Sequence, residues 1–152
     1  MATGEARYFD DFKPGDRFDS PHGYTFTDAD IIQFAHRYDP QVFHLDAEAA
    51  KDSIFGGLIA SGFQTLAATF RLVHAIGFLG HNMGGPGMDE LRWLKPVRPG
   101  DTLRAVAEIV EVTPSRSRPD RGALKYRIAA VNQKGETVMT ALITSLVLRR
   151  KA

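Results

Sequence analysis

Cysteine is absent from all 152 residues, which excludes disulfides, thiolate metal ligands and a cysteine nucleophile, and leaves nothing that points to an oxidising compartment. Net charge is nearly absent too. The 19 Lys and Arg against 18 Asp and Glu leave a formal +1, too weak a field to hold a polyanion such as duplex DNA, so no nucleic-acid partner is expected. An unbroken apolar run is also missing. The first nine residues carry Glu5 and Arg7 and lack the pattern of a signal peptide or lipidation motif. The most apolar long stretch, 56–79, is interrupted by Gln64, Arg71, His74 and several glycines, which argues for a buried helix over a membrane span. A cytoplasmic protein with no membrane partner is the expectation. His22, His36, His74 and His81 have no partners at metal-ligand spacing, so no metal is expected either.

What is present is 43% hydrophobic residues in a chain of a size that buries a core as one unit, so residues 1–152 are expected to form a single domain. After a turn at Pro14-Gly15, Asp16 to Phe26 reads as an irregular first strand. Thr27-Asp28-Ala29-Asp30 is a variant capping box that starts a helix. Ile31, Phe34, Ala35 and Tyr38 continue it, and Pro40 ends it at Asp39. Asp46 is placed to cap a short helix over 47–50. From about Ser61 to Leu79, apolar residues on nearly every face (Phe63, Leu66, Ala67, Phe70, Leu72, Val73, Ile76) predict a helix wrapped by other structure.

A flexible run, 80–87, precedes three alternating segments, each read as a strand with one buried face: Leu91 and Trp93; Leu103, Ala105, Ala107 and Ile109; Leu124, Tyr126, Ile128 and Ala130. A fourth alternates Val138 with Thr140, Leu142, Thr144, Leu146 and Leu148, so the C-terminal half is expected to be an antiparallel meander. The fold class is therefore α+β, one antiparallel sheet around one long helix.

The sharpest chemical feature is Tyr38-Asp39-Pro40-Gln41-Val42-Phe43-His44, which sets a carboxylate and an imidazole five residues apart across a helix-ending turn. A turn stiffened by proline brings two side chains to one pocket at little entropic cost, and Asp and His titrate differently enough to take and supply a proton. The competing reading makes Asp39 a helix stop and His44 a hydrogen-bonded core residue. The second feature, Phe55-Gly56-Gly57-Leu58-Ile59-Ala60-Ser61-Gly62, runs into the long helix. Unpaired amides at a helix start carry partial positive charge and glycine admits close approach, so Gly62 is a candidate oxyanion donor. Its alternative is tight turning and close packing, which fits Gly56 and Gly57 well.

In both features and their order the chain resembles the MaoC-like dehydratases and R-specific enoyl-CoA hydratases, over nearly its whole length. The family's Asp-x-Asn-Pro-Leu-His motif places its aspartate and histidine on Asp39 and His44, and its oxyanion glycine, after a small residue, on Ser61-Gly62. Leu91 to Asp101 resembles the family's strand and Gly-Asp turn. Gln41 stands in place of asparagine and Val42 in place of proline, and the proline has moved to Pro40. A serine found near the acyl site in some members falls on Phe70.

The resemblance implies a hot-dog fold and reversible addition of water to a trans-2-enoyl thioester, giving a 3-hydroxyacyl product, the R isomer. Asp39, His44 and Gly62 would be catalytic, and Gln41, Phe43, Ser61 and Phe70 substrate-binding, with Gln41 orienting the pair or the water. No cofactor is implied beyond the coenzyme A or acyl carrier that is part of the substrate. Arg116, Arg118 and Arg121, with Lys95 and Arg98, are candidates to meet coenzyme A phosphates. The implied partner is a second copy joined sheet edge to sheet edge, as a homodimer or a multiple of it. A hot-dog thioesterase and a non-catalytic acyl-CoA-binding module remain the alternatives.

Overall fold

The computed structural model describes residues 6–151. Six strands, β1 (Arg17–Asp19), β2 (Tyr24–Thr25), β3 (Gly87–Trp93), β4 (Thr102–Pro114), β5 (Arg121–Val131) and β6 (Thr137–Leu148), form one antiparallel sheet. The sheet runs β1-β4-β5-β6-β3, with β2 also paired to β4. The expected first strand is thus two short ones, separated where the Ser20 hydroxyl accepts the Ala105 N–H at 3.0 Å in place of a ladder bond.

Alternation accounts for β4 and β5. Leu103, Ala105, Ala107 and Ile109 face the core beside Leu124, Tyr126, Ile128 and Ala130, all of them buried as expected. On β6 the buried face is Met139, Ala141, Ile143, Ser145 and Val147, the opposite parity from the one read in the sequence. A register shift between Ala130 and Val131 leaves Val138 as an extra residue, so Val138 and Met139 are both buried and every later side chain changes face. Leucines on the outer face, only half-buried, produced the misleading pattern.

β3 does not open the meander. It crosses the molecule to pair with β6 at the far edge, and its side chains are largely exposed, contrary to the expectation of a buried face. An edge strand has a neighbour on one side only.

Helix α1 (Asp28–Tyr38) begins where the Thr27 hydroxyl accepts the Asp30 N–H at 3.1 Å, as its capping sequence predicts. Helix α3 (Gly62–Ile76) lies against β4 and β5 through buried residues including Leu72 and Val73, and ends at Gly77, whose φ of 88° suits glycine. It is not wrapped on all sides: Phe63, Ala67, Arg71 and His74 form an exposed stripe along it. The stretch 80–87, expected to be flexible, is tied to β6 by Met83 N–H to Leu146 O at 2.7 Å and Leu146 N–H to Gly84 O at 2.8 Å.

Candidate active site

Asp39 is the residue at which α1 stops. Its N–H still reaches the Ala35 carbonyl at 2.9 Å, but its backbone has already left helical geometry, as the following proline requires. One turn of helix, α2 (Val42–Leu45), then reverses the chain, an element the sequence did not announce. This turn closes the five-residue gap. His44 Nε2 stands 3.3 Å from Asp39 Oδ2.

His44 is 4% exposed, and its Nδ1 lies 2.7 Å from the Ile59 carbonyl. A carbonyl only accepts, so Nδ1 carries a proton, and Nε2 is the nitrogen turned towards Asp39. The core-histidine reading therefore holds for one nitrogen and leaves the other for chemistry.

Asp39 is held at both oxygens. The Gln41 side-chain amide donates to Oδ1 at 2.8 Å, and the Ser61 hydroxyl donates to Oδ2 at 2.7 Å. Burial pushes the carboxyl upwards, yet the Ser61 and Gln41 hydrogen bonds and the neighbouring His44 outweigh it and hold Asp39 below the ordinary carboxylate value. Asp39 is thus an ionised, oriented acceptor at neutral pH.

Ser61 also receives the Phe63 N–H at 3.2 Å, capping α3 with the hydroxyl that fixes Asp39. Immediately after it, the Gly62 N–H meets no acceptor among the described residues. It is the first amide of a 15-residue helix, where the helix dipole favours a partial negative charge. The Trp93 indole covers this turn, its Nε1–H donating to the Gly62 carbonyl at 2.9 Å.

One cavity of about 470 Å³ has Asp39, Gln41, His44, Gly62 and Lys95 as its polar lining and Phe43, Phe55, Phe63 and Trp93 as aromatic walls. Phe43 packs edge-on against both His44 and Phe55. A larger groove, about 970 Å³, runs between α1 and α3 but includes neither Asp39 nor His44; the smaller cavity is the one that joins donors, acceptor and apolar walls.

Five of the seven candidate site residues, Asp39, Gln41, Phe43, His44 and Gly62, line the cavity. Ser61 is fully buried behind it and acts on Asp39, a different position from the substrate contact expected. Phe70 lies about two turns along α3, edge-on to His74, and does not line the cavity in this protomer.

Of the basic candidates, Lys95 lines the cavity and Arg98 donates to the Phe55 carbonyl at 2.6 Å. Arg121 sits opposite Leu148, whereas Trp93 sits opposite Met139 on the same strand β6, a separation of about 30 Å at strand rise. The Arg116 to Arg121 stretch is therefore at the far end of the sheet from this cavity within one protomer. Trp93 and Phe55 were not singled out as site residues from the sequence. Their signal was faint: the chain's single tryptophan just before Leu-Lys-Pro, and an aromatic just before paired glycines.

Among the described residues, no group of three or more His, Cys, Asp or Glu is placed to hold a metal, and no helix is long and apolar enough to cross a membrane. A family model described as a MaoC-like domain matches residues 11–132. The crystal structure of a MaoC-like dehydratase from Rhodospirillum rubrum superposes with a TM-score of 0.89 at 41% identity, covering 97% of this chain and 100% of that one. The uncharacterised protein YdeM of Bacillus subtilis is 37% identical over 79% of this chain and 84% of its own length. The 3-hydroxyacyl-thioester dehydratase Z of Mycobacterium tuberculosis is 33% identical over 64% of this chain and 67% of its own. Two longer curated relatives are matched over 29% and 43% of their lengths.

Proposed function

The chain belongs to the MaoC-like dehydratase family, and from that premise we propose that it hydrates a trans-2-enoyl thioester reversibly to the (R)-3-hydroxyacyl thioester. The observation that carries this reading is the convergence of the Asp39 carboxylate, the His44 Nε2 facing it and an unpaired Gly62 amide on one aromatic-walled cavity.

In this mechanism the thioester oxygen accepts the Gly62 N–H at the positive end of α3, which draws electron density from C3. One water is held from the cavity side by both Asp39 and His44. A carboxylate held below its usual pKa is a poor proton acceptor at neutral pH, so the transfer falls to Nε2 while Asp39 orients the water and balances the imidazolium. As the water oxygen bonds to C3, Nε2 takes one of its protons and then delivers that proton to C2. The enzyme ends as it began. Gln41 and Ser61 keep the carboxylate in place throughout, and no cofactor takes part beyond the coenzyme A or acyl carrier of the substrate.

The assembly proposed is a pair of copies. The exposed edge strand β3, with Met88 and Trp93 on it, and the exposed stripe of α3 are the surfaces a second copy would cover. A cytoplasmic location accompanies this reading.

The test is to offer crotonyl-CoA and butyryl-CoA to the purified protein. Conversion of crotonyl-CoA to (R)-3-hydroxybutyryl-CoA, with butyryl-CoA intact, is the expected result. Release of free coenzyme A from both without hydration would establish a thioesterase, and saturable binding without turnover a non-catalytic module.

A further inference from the structure

Trp93 is the chain's single tryptophan, and its indole is fixed against the first turn of α3. The Nε1–H donates to the Gly62 carbonyl at 2.9 Å, and the ring meets Phe63 edge-on with centroids 5.7 Å apart. The indole also fills the space that a side chain at position 62 would need: a Cβ there would stand 2.7 Å from Nε1, and nearer still to Cε2.

The aim of this ring comes from a fault in β3. Pairing with β6 steps from Asp89 opposite Leu142 to Arg92 opposite Thr140, so β3 carries one residue more than its partner over that interval. Residues directly opposite on an antiparallel pair share a face, and one extra residue moves everything after it to the other face. Trp93 consequently lies opposite the buried Met139, on the helix side of the sheet. Without the bulge it would follow the parity of Asp89 and point away from α3. Within the bulge, Glu90 adopts a φ of 51°, a left-handed conformation unusual for a residue with a side chain, and its carboxylate receives the Arg127 guanidinium at 3.1 Å.

We propose that Trp93 is a positioning residue of the thioester site, delivered by the β3 bulge to clamp residue 62 so that its amide faces the cavity. The proposal rests on the hydratase reading. The indole does two things at once: it holds the Gly62 carbonyl by a hydrogen bond, and it makes glycine obligatory at 62 by occupying the side-chain space. Trp93 is about half exposed within the protomer, so replacing it removes little of the protomer's own core packing, and oligomer size is checked for each variant.

The experiment is a double-mutant cycle between positions 62 and 93, read as kcat and KM for crotonyl-CoA on folded protein. Trp93→Phe keeps an aromatic ring but loses the N–H, and kcat should fall up to about tenfold, the upper range for one neutral hydrogen bond, with KM nearly unchanged. Gly62→Ala should cost about a hundredfold in kcat beside Trp93, as loss of an oxyanion donor does, and only a few-fold beside Trp93→Leu, where the methyl group has room. A merely structural tryptophan would lower the folded fraction and leave kcat per folded enzyme unchanged.

Because the chain has no other indole, the emission of Gly62→Ala reports Trp93 directly: a red shift and freer access to acrylamide are expected when the new methyl displaces the ring. An unchanged kcat in Trp93→Phe, an equal cost of Gly62→Ala in both backgrounds, or an undisturbed indole would overturn the proposal. Failure of the hydratase reading is seen separately, in the unmutated protein, as no hydration of crotonyl-CoA, and that result removes the clamp's function with it.

Discussion

The β4–β5–β6 meander and the stretch from Tyr38 to Gly62 meet across the same core but are held in different ways. In the meander, pairing runs along ten or more residues of each strand, and large buried side chains such as Leu124, Tyr126 and Ile128 share the work of burial. Between Tyr38 and Gly62, by contrast, single polar contacts decide where each group sits: Ser61 and Gln41 on Asp39, Ile59 on His44, Arg98 on the Phe55 carbonyl. Distributed burial tolerates the loss of one contact as a change in stability. A site built from single contacts loses function when one is removed and keeps its fold.

His44→Ala breaks that contrast hardest. It should lower kcat by about two to four orders of magnitude, the usual range for an acid/base group. The melting transition should move far less, and calorimetry beside steady-state assays checks both. Leu124→Ala is its mirror image. Removing a fully buried leucine from the meander should cost about 2–5 kcal/mol of stability, seen in a urea midpoint, while kcat per folded molecule stays near wild type.

Ser61→Ala lies between the two, because the same hydroxyl caps α3 and holds Asp39. A stability loss of about 1 kcal/mol is expected from the cap. The larger signal is in pH. Folding holds Asp39 below its ordinary value, so its ionised form stabilises the fold above that value, and the contribution is lost as pH falls through the folded pKa. Without Ser61 the pKa rises, and both the acid loss of stability and any acid limb of kcat/KM that reports Asp39 should move to higher pH. A stability profile and a rate profile unmoved on the acid side would detach Ser61 from Asp39.

A small effect is expected at Gly56, whose φ of 67° disfavours a side chain although nothing crowds it. Gly56→Ala should cost about 1 kcal/mol in a melting experiment and leave kcat alone. Gly57 has an ordinary φ and only the Arg98 guanidinium at 3.5 Å near a new methyl, so Gly57→Ala should cost less still.

The same contrast governs what could be read from the sequence. Alternation on β4 and β5 was legible because many residues repeat one message, as was the stop of α1 at Asp39, written in Pro40. The parity of β6 was not, since a single extra residue at Val138 reverses it and small residues, Ala141 and Ser145, occupy the buried side. The spacing of Asp39 and His44 showed that they could meet. That they do depends on α2, a one-turn helix too short to leave a periodic signature. Trp93 escaped notice as a site residue for a related reason: its place over Gly62 follows from a bulge and from a strand that crosses to the far edge of the sheet, neither visible as a local pattern.

The most direct measurement is the hydration rate of crotonyl-CoA by wild-type and Asp39→Asn protein side by side, each shown by circular dichroism and oligomer size to be folded alike. Asparagine keeps the shape of Asp39 but not its charge. Hydration by the wild type and a loss of about a hundredfold or more in the variant, with unchanged folding, is the expected result. Equal rates in the two proteins would remove Asp39 from the chemistry and contradict the site as described.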